Sequence, residues 1–261
     1  MLNDLFAPLI KQRIKNGEWW IGDCLELMKD IPNGSVDMVL CDLPYGTTAC
    51  KWDTVIPFEP LWREYHRIAK ERAAIVLTAS QPFTSALVMS NVDNFAHEWI
   101  WNKRFAGNFV QAKRQPMKDH ENVLVFGLNG KQPQYFPIMK KREKPIKKGG
   151  NKQSKAIPVA ITKNSKNFGN PVYNEKHPTS VTSLDFSSRD KSRGLHPTQK
   201  PVALFEYLIK TYTKEDDLIL DNTAGSGTTA VAAENTNRRW ICIERDPEYS
   251  RKACERIRSC V

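Results

Sequence analysis

The sequence has no long hydrophobic run, and its first residues do not have the pattern of a secretory signal. No eighteen consecutive apolar residues occur, and the first ten residues, MLNDLFAPLI, lack the basic lead and small-residue cleavage site of a signal peptide. We therefore predict a cytoplasmic location and no membrane partner. Apolar residues still make up 40% of the 261 residues, which is enough for one large folded domain with a hydrophobic core.

Metal-binding and disulfide patterns are also absent from the sequence. The six cysteines form no C-x-x-C pair, and no two histidines have the spacing of zinc ligands. The sequence therefore indicates neither a zinc site nor a disulfide framework, and we predict no bound metal. We expect reduced thiols that mostly pack in the interior, namely Cys24, Cys41, Cys50, Cys242, Cys254 and Cys260.

Negative charge is scarce in one segment, which carries the whole positive excess of the chain. The net charge is +10; residues 103–195 hold twenty Lys and Arg against six Asp and Glu, whereas the remainder is net −4. Such a local field suits a polyanion, because neutralising phosphates releases their counterions and adds affinity. A solvated, partly disordered insertion is the other interpretation, and the run MKKREKPIKKGGNKQSK fits both equally well.

Outside this segment the pattern alternates between strand and helix. SVDMVLCD and AAIVLTAS read as buried strands around the helical FEPLWREYHRIAKE, and after the basic segment the order resumes with a helix in HPTQKPVALFEYLIKTYT and a strand in DLILD. This alternation predicts an α/β domain with a parallel sheet. Its two parts are residues 1–102 and 196–261, separated by a basic insertion at 103–195.

A glycine-containing turn follows the strand DLILD. Gly225 and Gly227 precede a predicted helix, Ala230 completes a G-x-G-x-x-A spacing, and Glu244 ends the next strand nineteen residues after Gly225. Glycine lets the backbone approach a ligand closely, and an acidic residue about twenty positions on can bind ribose hydroxyls. The turn therefore predicts a nucleoside-containing cofactor; a plain tight turn is the alternative.

The charge at this turn bears on which nucleoside binds. The same spacing serves NAD, whose pyrophosphate would rest on the helix N-terminus. However, Asp221 opens the turn, and a carboxylate there suits an ammonium group better than a phosphate. S-adenosylmethionine has an ammonium group, a ribose and no phosphate, so the turn favours it, with a Rossmann-type NAD oxidoreductase as the alternative.

The tetrapeptide DLPY, residues 42–45, ends the first buried strand. The Asp42 carboxylate and a backbone carbonyl aimed by Pro44 can both accept hydrogen bonds from one exocyclic amino group, while Tyr45 lies against the ring that carries it. Two such acceptors turn the nitrogen lone pair toward a sulfonium methyl group, so catalysis needs mainly alignment. Methylation of a ring carbon requires a thiolate, commonly from a Pro-Cys pair, and no proline here precedes cysteine.

These two loops resemble motifs of the amino-methylating DNA methyltransferases. DLPY resembles motif IV, written D/N/S-P-P-Y/F, and DNTAGSGTT (residues 221–229) resembles the cofactor motif I. The catalytic motif comes first, as in the beta class of that family. The resemblance implies a Rossmann-like methyltransferase fold with circularly permuted motif order, S-adenosylmethionine as cofactor, and target recognition by the basic insertion. It also implies double-stranded DNA as substrate, with the target base flipped into the pocket.

The resemblance assigns roles to individual residues. The catalytic residues are Asp42, Leu43, Pro44 and Tyr45, with Leu43 replacing the usual first proline. Cofactor contacts fall to Asp23, Cys24, Asp42, Lys200, Asp221, Thr223, Ala224, Gly225, Ser226, Gly227, Thr228, Thr229 and Glu244, with Thr223 where phenylalanine is common. The predicted DNA contacts are Lys51 in a closing loop over the flipped base, and Lys113, Arg114, Lys118, Lys140, Lys141, Arg142, Lys147 and Lys148 in the insertion.

The target base and the partners follow from family tendencies. Aspartate in DLPY resembles the adenine N6 enzymes more often, and cytosine N4 remains the alternative. A non-catalytic nucleic-acid-binding protein and an RNA substrate are further alternatives, because phosphate attraction does not distinguish the two polymers. A homodimer and a cognate restriction endonuclease are partners typical of the family, and a solitary phage-encoded enzyme in host cytoplasm is the other arrangement left open.

Overall fold

The structure is a computed structural model that describes residues 10–47, 53–147, 172–182 and 199–260. The chain divides into two compact units. The larger unit comprises Met1–Phe136 and Ser180–Val261, and the smaller unit comprises Pro137–Thr179. Of the predicted insertion, residues 103–136 therefore belong to the larger unit together with its last part from Ser180.

In its described residues, the larger unit is built around a nine-stranded mixed sheet. Its strands along the chain are β1 (Ile10–Ile14), β2 (Gly17–Ile21), β3 (Val36–Asp42), β4 (Ala69–Ala79), β5 (Phe95–Gly107), β6 (Lys118–Phe126), β9 (Val181–Thr182), β10 (Leu218–Asp221) and β11 (Arg239–Glu244). In space they follow the order β1-β2-β11-β10-β3-β4-β6-β5-β9. The smaller unit contributes β7 (Lys140–Lys147) and β8 (Val172–Lys176).

The centre of the sheet is parallel, as the alternating pattern predicts. β2, β11, β10, β3 and β4 run parallel, whereas β6 adds antiparallel to β4, β5 adds antiparallel to β6, and β1 adds antiparallel to β2. β3 is buried along almost its whole length, because a parallel sheet is covered on both faces. The carboxyl ends of β3, β10 and β11 consequently open at one edge, where ligands bind in such sheets.

Helices cover the two faces of the sheet. They are α1 (Cys24–Leu27), α2 (Phe58–Ile68), α3 (Phe83–Met89), α4 (Val202–Tyr212), α5 (Thr228–Glu234) and α6 (Pro247–Ser259). α2 buries Leu61, Trp62, Tyr65 and Ile68, whose spacing of three and four residues forms one apolar face. Along the described ranges, no helix has both the length and the apolar character needed to cross a membrane.

Gly17 shows how tightly β2 and β11 pack. A Cβ atom at this position would lie 2.2 Å from the Trp240 side chain and 2.4 Å from the Trp240 carbonyl oxygen. Only glycine leaves room for the buried Trp240 indole, whose Nε1 donates to Glu234 at 2.8 Å. The five described cysteines are free thiols.

In its described residues, the smaller unit contains a two-stranded antiparallel ribbon of mostly exposed polar residues. β7 pairs with β8 through Lys140 opposite Lys176 and Lys141 opposite Glu175. Arg142 Nε donates to the Glu175 carbonyl at 3.0 Å and ties the two strands together. A ribbon of this kind has little apolar area of its own to bury.

Candidate active site

The loops that follow Asp42 and Asp221 meet at one edge of the sheet. β3 and β10 are hydrogen-bonded neighbours, with Ile219 opposite Met38 and Leu220 opposite Val39. Thr223 Oγ1 donates to the Asp42 carbonyl oxygen at 3.1 Å. The sequence-based prediction that these two loops face each other is confirmed.

Both loops line one cavity of about 450 Å³. This volume lies within the range of pockets that hold small-molecule ligands. Apart from Gly227 and Thr229, every predicted catalytic or cofactor residue contributes to its wall. Those that line it are Asp23, Cys24, Asp42, Leu43, Pro44, Tyr45, Lys200, Asp221, Thr223, Ala224, Gly225, Ser226, Thr228 and Glu244.

Three donors converge on the Asp42 carboxylate. Its Oδ1 accepts from the Tyr45 hydroxyl at 2.8 Å and from the Thr78 hydroxyl, and its Oδ2 accepts from Lys200 Nζ at 2.6 Å. Thr78 lies directly opposite Asp42 on β4, so the register of the two strands sets this contact. The carboxylate is thereby held in one orientation at the cavity wall.

A buried chain of charges continues from Asp42. Lys200 Nζ lies 3.4 Å from Glu121 Oε2, and Glu121 Oε1 pairs with Lys103. Burial opposes the charge on the Lys200 ammonium, but Asp42 and Glu121 outweigh this effect and raise its pKa. Lys200 therefore stays protonated between two carboxylates.

Glu121 lines the cavity but is not among the site residues predicted from the sequence. It lies on β6, within the segment predicted as insertion, and its strand joins the main sheet beside β4. A signal for it exists in the sequence, because KDHENVLVF places a charged residue at a buried position of a strand. Trp101 and Lys103 of β5 line the same wall and were also missed.

The Tyr45 ring is fixed by packing. It stacks on Phe83 with ring centroids 5.1 Å apart and an interplanar angle of 25°. Lys200 Nζ lies 5.8 Å from its centroid. Burial raises the pKa of the Tyr45 phenol, and the nearby charges of Asp42 and Glu121 raise it further. The hydroxyl therefore remains a donor to Asp42.

Asp221 acts within the glycine turn itself. Its Oδ1 accepts from the Thr223 backbone N–H at 3.0 Å, and its Oδ2 accepts from the Thr229 hydroxyl. Burial raises its pKa to about 7. Both oxygens thus hold the turn in shape, and Gly225 and Gly227 adopt positive φ angles of 50° and 75° there.

Glu244 links the end of β11 to the glycine turn. Its Oε2 accepts from the Gly225 N–H and its Oε1 from the Asp246 N–H, each at 2.8 Å. Burial raises the pKa of this carboxyl. A carboxylate has about four lone-pair directions, so each oxygen keeps capacity for a further donor such as a ribose hydroxyl.

Asp23 and Cys24 lie at the start of α1. Asp23 caps the helix, because its Oδ1 accepts from the Leu25 N–H at 2.9 Å. Burial raises the pKa of the Cys24 thiol to about 11, which keeps it neutral. These contacts fix the local backbone at the cavity wall that Gly22 also lines.

A polar network beneath the cavity supports the glycine turn and was also missed from the sequence. The Tyr65 hydroxyl donates to Asn222 Oδ1 at 2.6 Å, and Cys41 Sγ donates to the same oxygen at 2.9 Å. Asn222 takes the place of the proline in the D-P-F form of the motif. Its side chain therefore ties α2 and β3 to the turn.

The segment after DLPY is anchored by Asp53. This buried carboxylate accepts from the Gly46 N–H at 2.8 Å and from the Thr47 N–H at 2.9 Å, and it lines the cavity. Lys51, predicted to contact DNA from a closing loop, lies outside the described residues.

The predicted DNA contacts fall into three groups. Lys113 and Arg114 are exposed in the turn between β5 and β6. Lys118 instead donates to Ser80 Oγ, and burial lowers its pKa. The group in or next to the smaller unit's β7 is Lys140, Lys141, Arg142 and Lys147, with Lys148 outside the described residues.

The chain matches a known protein family. The family described as DNA methylase, N6_N4_Mtase, matches residues 36–255. The DNA adenine methyltransferase YhdJ of Escherichia coli K12 is 29% identical over 90% of this chain and 81% of its own length.

Two solved structures share the fold. The cytosine-N4-specific PvuII DNA methyltransferase superposes with a TM-score of 0.64 at 19% identity, over 94% of this chain and 86% of its own. The complex of M1.HpyAVI with SAM has a TM-score of 0.59 at 22% identity, over 92% of this chain and 98% of its own. The predicted Rossmann-like methyltransferase fold is confirmed. The chain belongs to the N6/N4 DNA methylase family and is a DNA methyltransferase.

Proposed function

We propose that the protein transfers a methyl group from S-adenosylmethionine to the exocyclic amino nitrogen of a flipped base in double-stranded DNA, with adenine N6 as the target. The observation that carries this proposal is the shared cavity in which Asp42 and the glycine turn are joined by the Thr223 contact. The adenine-specific relative and the aspartate of DLPY favour adenine. The resemblance of the fold to a cytosine N4 enzyme makes that base the second candidate.

The charges of the cavity wall support S-adenosylmethionine over NAD. Six acidic side chains and three basic ones line the cavity, and Lys103 and Lys200 already pair with acids among them. A wall with this excess of carboxylates suits a cationic sulfonium and disfavours a pyrophosphate. The acidic residues are Asp23, Asp42, Asp53, Glu121, Asp221 and Glu244, and the third basic residue is Arg245.

The residues present fit the cofactor. Glu244 would accept from its ribose hydroxyls, and the glycine turn would lie against its methionine part, where Gly225 allows close backbone approach. Asp23 and Cys24 would border its adenine. When bound, S-adenosylmethionine supplies an electrophilic methyl group.

Asp42 would orient the base. Its carboxylate would accept one amino hydrogen of the base, and the carbonyl next to Pro44 would accept the other, which turns the nitrogen lone pair toward the cofactor. Asp42 would also receive the proton that the nitrogen loses after transfer. Lys200 already bonds Oδ2, so the incoming amino group has to share that oxygen with the ammonium.

Glu121 gives Lys200 a second acceptor during this exchange. Its Oε2 lies 3.4 Å from Lys200 Nζ, close enough for the ammonium to move toward it as the base approaches Asp42. We expect Glu121→Gln to lower single-turnover methylation by about tenfold and to leave cofactor affinity within about twofold, because one charged hydrogen bond is weakened. The matched control is Glu98→Gln, on the exposed side of β5. Equal rates in the two variants would remove Glu121 from the reaction.

The test of the proposed function is methylation of a mixed-sequence duplex with labelled S-adenosylmethionine, followed by mapping of the modified base. We expect N6-methyladenine within a fixed sequence context. If the mapped product is N4-methylcytosine, the target is the second candidate, the cytosine amino group. Absence of label in the DNA would contradict the proposal.

The smaller unit carries the predicted phosphate contacts of the recognition region. We expect the triple change of Lys140, Lys141 and Arg142 to glutamine to flatten the plot of log affinity against log salt by about 2 to 3 units, because each lost phosphate contact removes about 0.9. The control triple removes exposed charges that pair on helices of the larger unit, namely Arg63, Arg251 and Lys252. An unchanged slope would identify β7 as a passive linker.

The homodimer and the restriction endonuclease remain predictions.

A further inference from the structure

The turn that joins β5 to β6 is held in a defined shape. It begins at Asn108, whose backbone is left-handed with φ 52°, and continues as a 3-10 turn at Phe109–Gln111. Gln111 N–H donates to the Asn108 carbonyl at 2.8 Å, and Asn108 Oδ1 accepts from the Lys118 N–H at 2.8 Å. The turn is therefore closed by hydrogen bonds at both ends.

This ordered turn exposes two adjacent apolar side chains. Phe109 is 77% exposed and Val110 is 83% exposed, the two highest values among the large hydrophobic residues that the structure describes. Apolar side chains left in water are unfavourable, and these two contribute no burial to the core. Adjacent exposed hydrophobics on a fixed turn indicate a binding surface.

The same hairpin forms part of the cavity wall. Trp101 and Lys103 of β5 and Glu121 of β6 line the cavity, and the exposed pair lies at the tip of these two strands. From Glu121 to the start of β6 at Lys118 the strand rises about 10 Å. The apolar tip thus projects from the wall of the site in which the base would react.

The charge around the tip identifies the partner. Residues 102–118 contain five Lys and Arg and no Asp or Glu. Lys113 and Arg114 follow the apolar pair within the same turn and are exposed. An apolar tip flanked by cations suits a nucleic-acid duplex, because phosphates line its grooves and apolar side chains can insert between its stacked bases.

We propose that Phe109 and Val110 insert into the DNA duplex beside the target base and fill the space that it leaves when it enters the cavity. This inference rests on the proposed function. Inserted apolar side chains offset part of the cost of unstacking the target base. Lys113 and Arg114 would hold the neighbouring phosphates.

The test compares two duplexes that differ only opposite the target base. In one the target is paired, and in the other it faces an abasic site, where extrusion costs less. We expect the double variant Phe109→Ala, Val110→Ala to lose about tenfold or more in kcat/KM on the paired duplex and at most about twofold on the abasic one. The control is Met89→Ala, which removes a 72% exposed apolar side chain outside the hairpin.

A second readout does not depend on turnover. With 2-aminopurine in place of the target adenine, we expect the protein to raise its fluorescence by unstacking it, and the double variant to raise it much less. The proposal would be overturned if the variant lost kcat/KM equally on both duplexes or lost it on neither. It would also be overturned if the variant changed its oligomeric state, because the tip would then belong to a protein interface. A wild-type protein that methylates neither duplex would refute the proposed function itself.

Discussion

Replacing Asp42 with alanine should lower single-turnover methylation by about 10²- to 10³-fold while leaving S-adenosylmethionine affinity nearly unchanged. The loss is large because the carboxylate is the acceptor that orients the amino group, and removing one preorganised polar contact at a reacting group costs about 10² to 10³ in rate. The link from Asp42 to the glycine turn runs through its backbone carbonyl, which accepts from Thr223 and survives the substitution. The cofactor pocket should therefore remain intact.

The conservative variant Asp42→Asn separates orientation from charge. Its amide keeps one oxygen acceptor but turns an NH2 group toward either Lys200 or the Tyr45 and Thr78 hydroxyls. We expect activity between those of the wild type and the alanine variant. Rapid-quench methylation gives the rate and calorimetry gives the cofactor affinity. Near-normal turnover of Asp42→Ala would exclude Asp42 from the chemistry.

The sheet and the position of the two loops could be predicted because both depend on local pattern. Buried parallel strands read as short continuous apolar runs, and the carboxyl ends of such strands share an edge. Asp42 and Gly225 follow two of these runs, so their meeting required only that β3 and β10 be neighbours. The α/β character of residues 1–102 and 196–261 followed from the same alternation of strand and helix patterns.

The contacts that complete the site could not be predicted because they join distant positions through strand register. Thr78 reaches Asp42 only because the two residues pair across β3 and β4, and Glu121 reaches Lys200 only because β6 adds to the sheet beside β4. The residues ENVLVFG have the pattern of a strand, but the sequence does not show that this strand, β6, joins the main sheet beside β4. In β7, an almost continuous run of charged residues carries no period that favours a strand.

The role of Asp221 shows a different limit. Its position at the strand end suggested an acceptor for the ammonium group of the cofactor. In the structure its two oxygens accept from the Thr223 backbone N–H and the Thr229 hydroxyl, so this carboxylate also holds the shape of the turn. The excess of acidic groups at the cavity wall, more than this one carboxylate, favours a cationic ligand.

Glu244→Gln should weaken S-adenosylmethionine binding by about 10- to 100-fold, since a hydrogen bond to a charged group contributes about 1.5 to 3 kcal/mol and 1.4 kcal/mol is tenfold in affinity. Both carboxylate oxygens accept from backbone N–H groups, those of Gly225 and Asp246. An amide has one oxygen, so its NH2 must face one of these donors. The glycine turn or the start of α6 then shifts, and one ribose acceptor is lost.

The matched control for this variant is Glu248→Gln on the exposed surface of α6, where the side chain pairs only with Lys252 among its described contacts. Calorimetric titration with S-adenosylmethionine measures the affinity of both variants, and thermal unfolding shows whether the fold persists. Because Glu244 is expected to contact the cofactor and not the base, a saturating cofactor concentration should restore most of the methylation rate. A Glu244→Gln variant that binds the cofactor as tightly as the control would show that this carboxylate supports the turn without contacting the ribose.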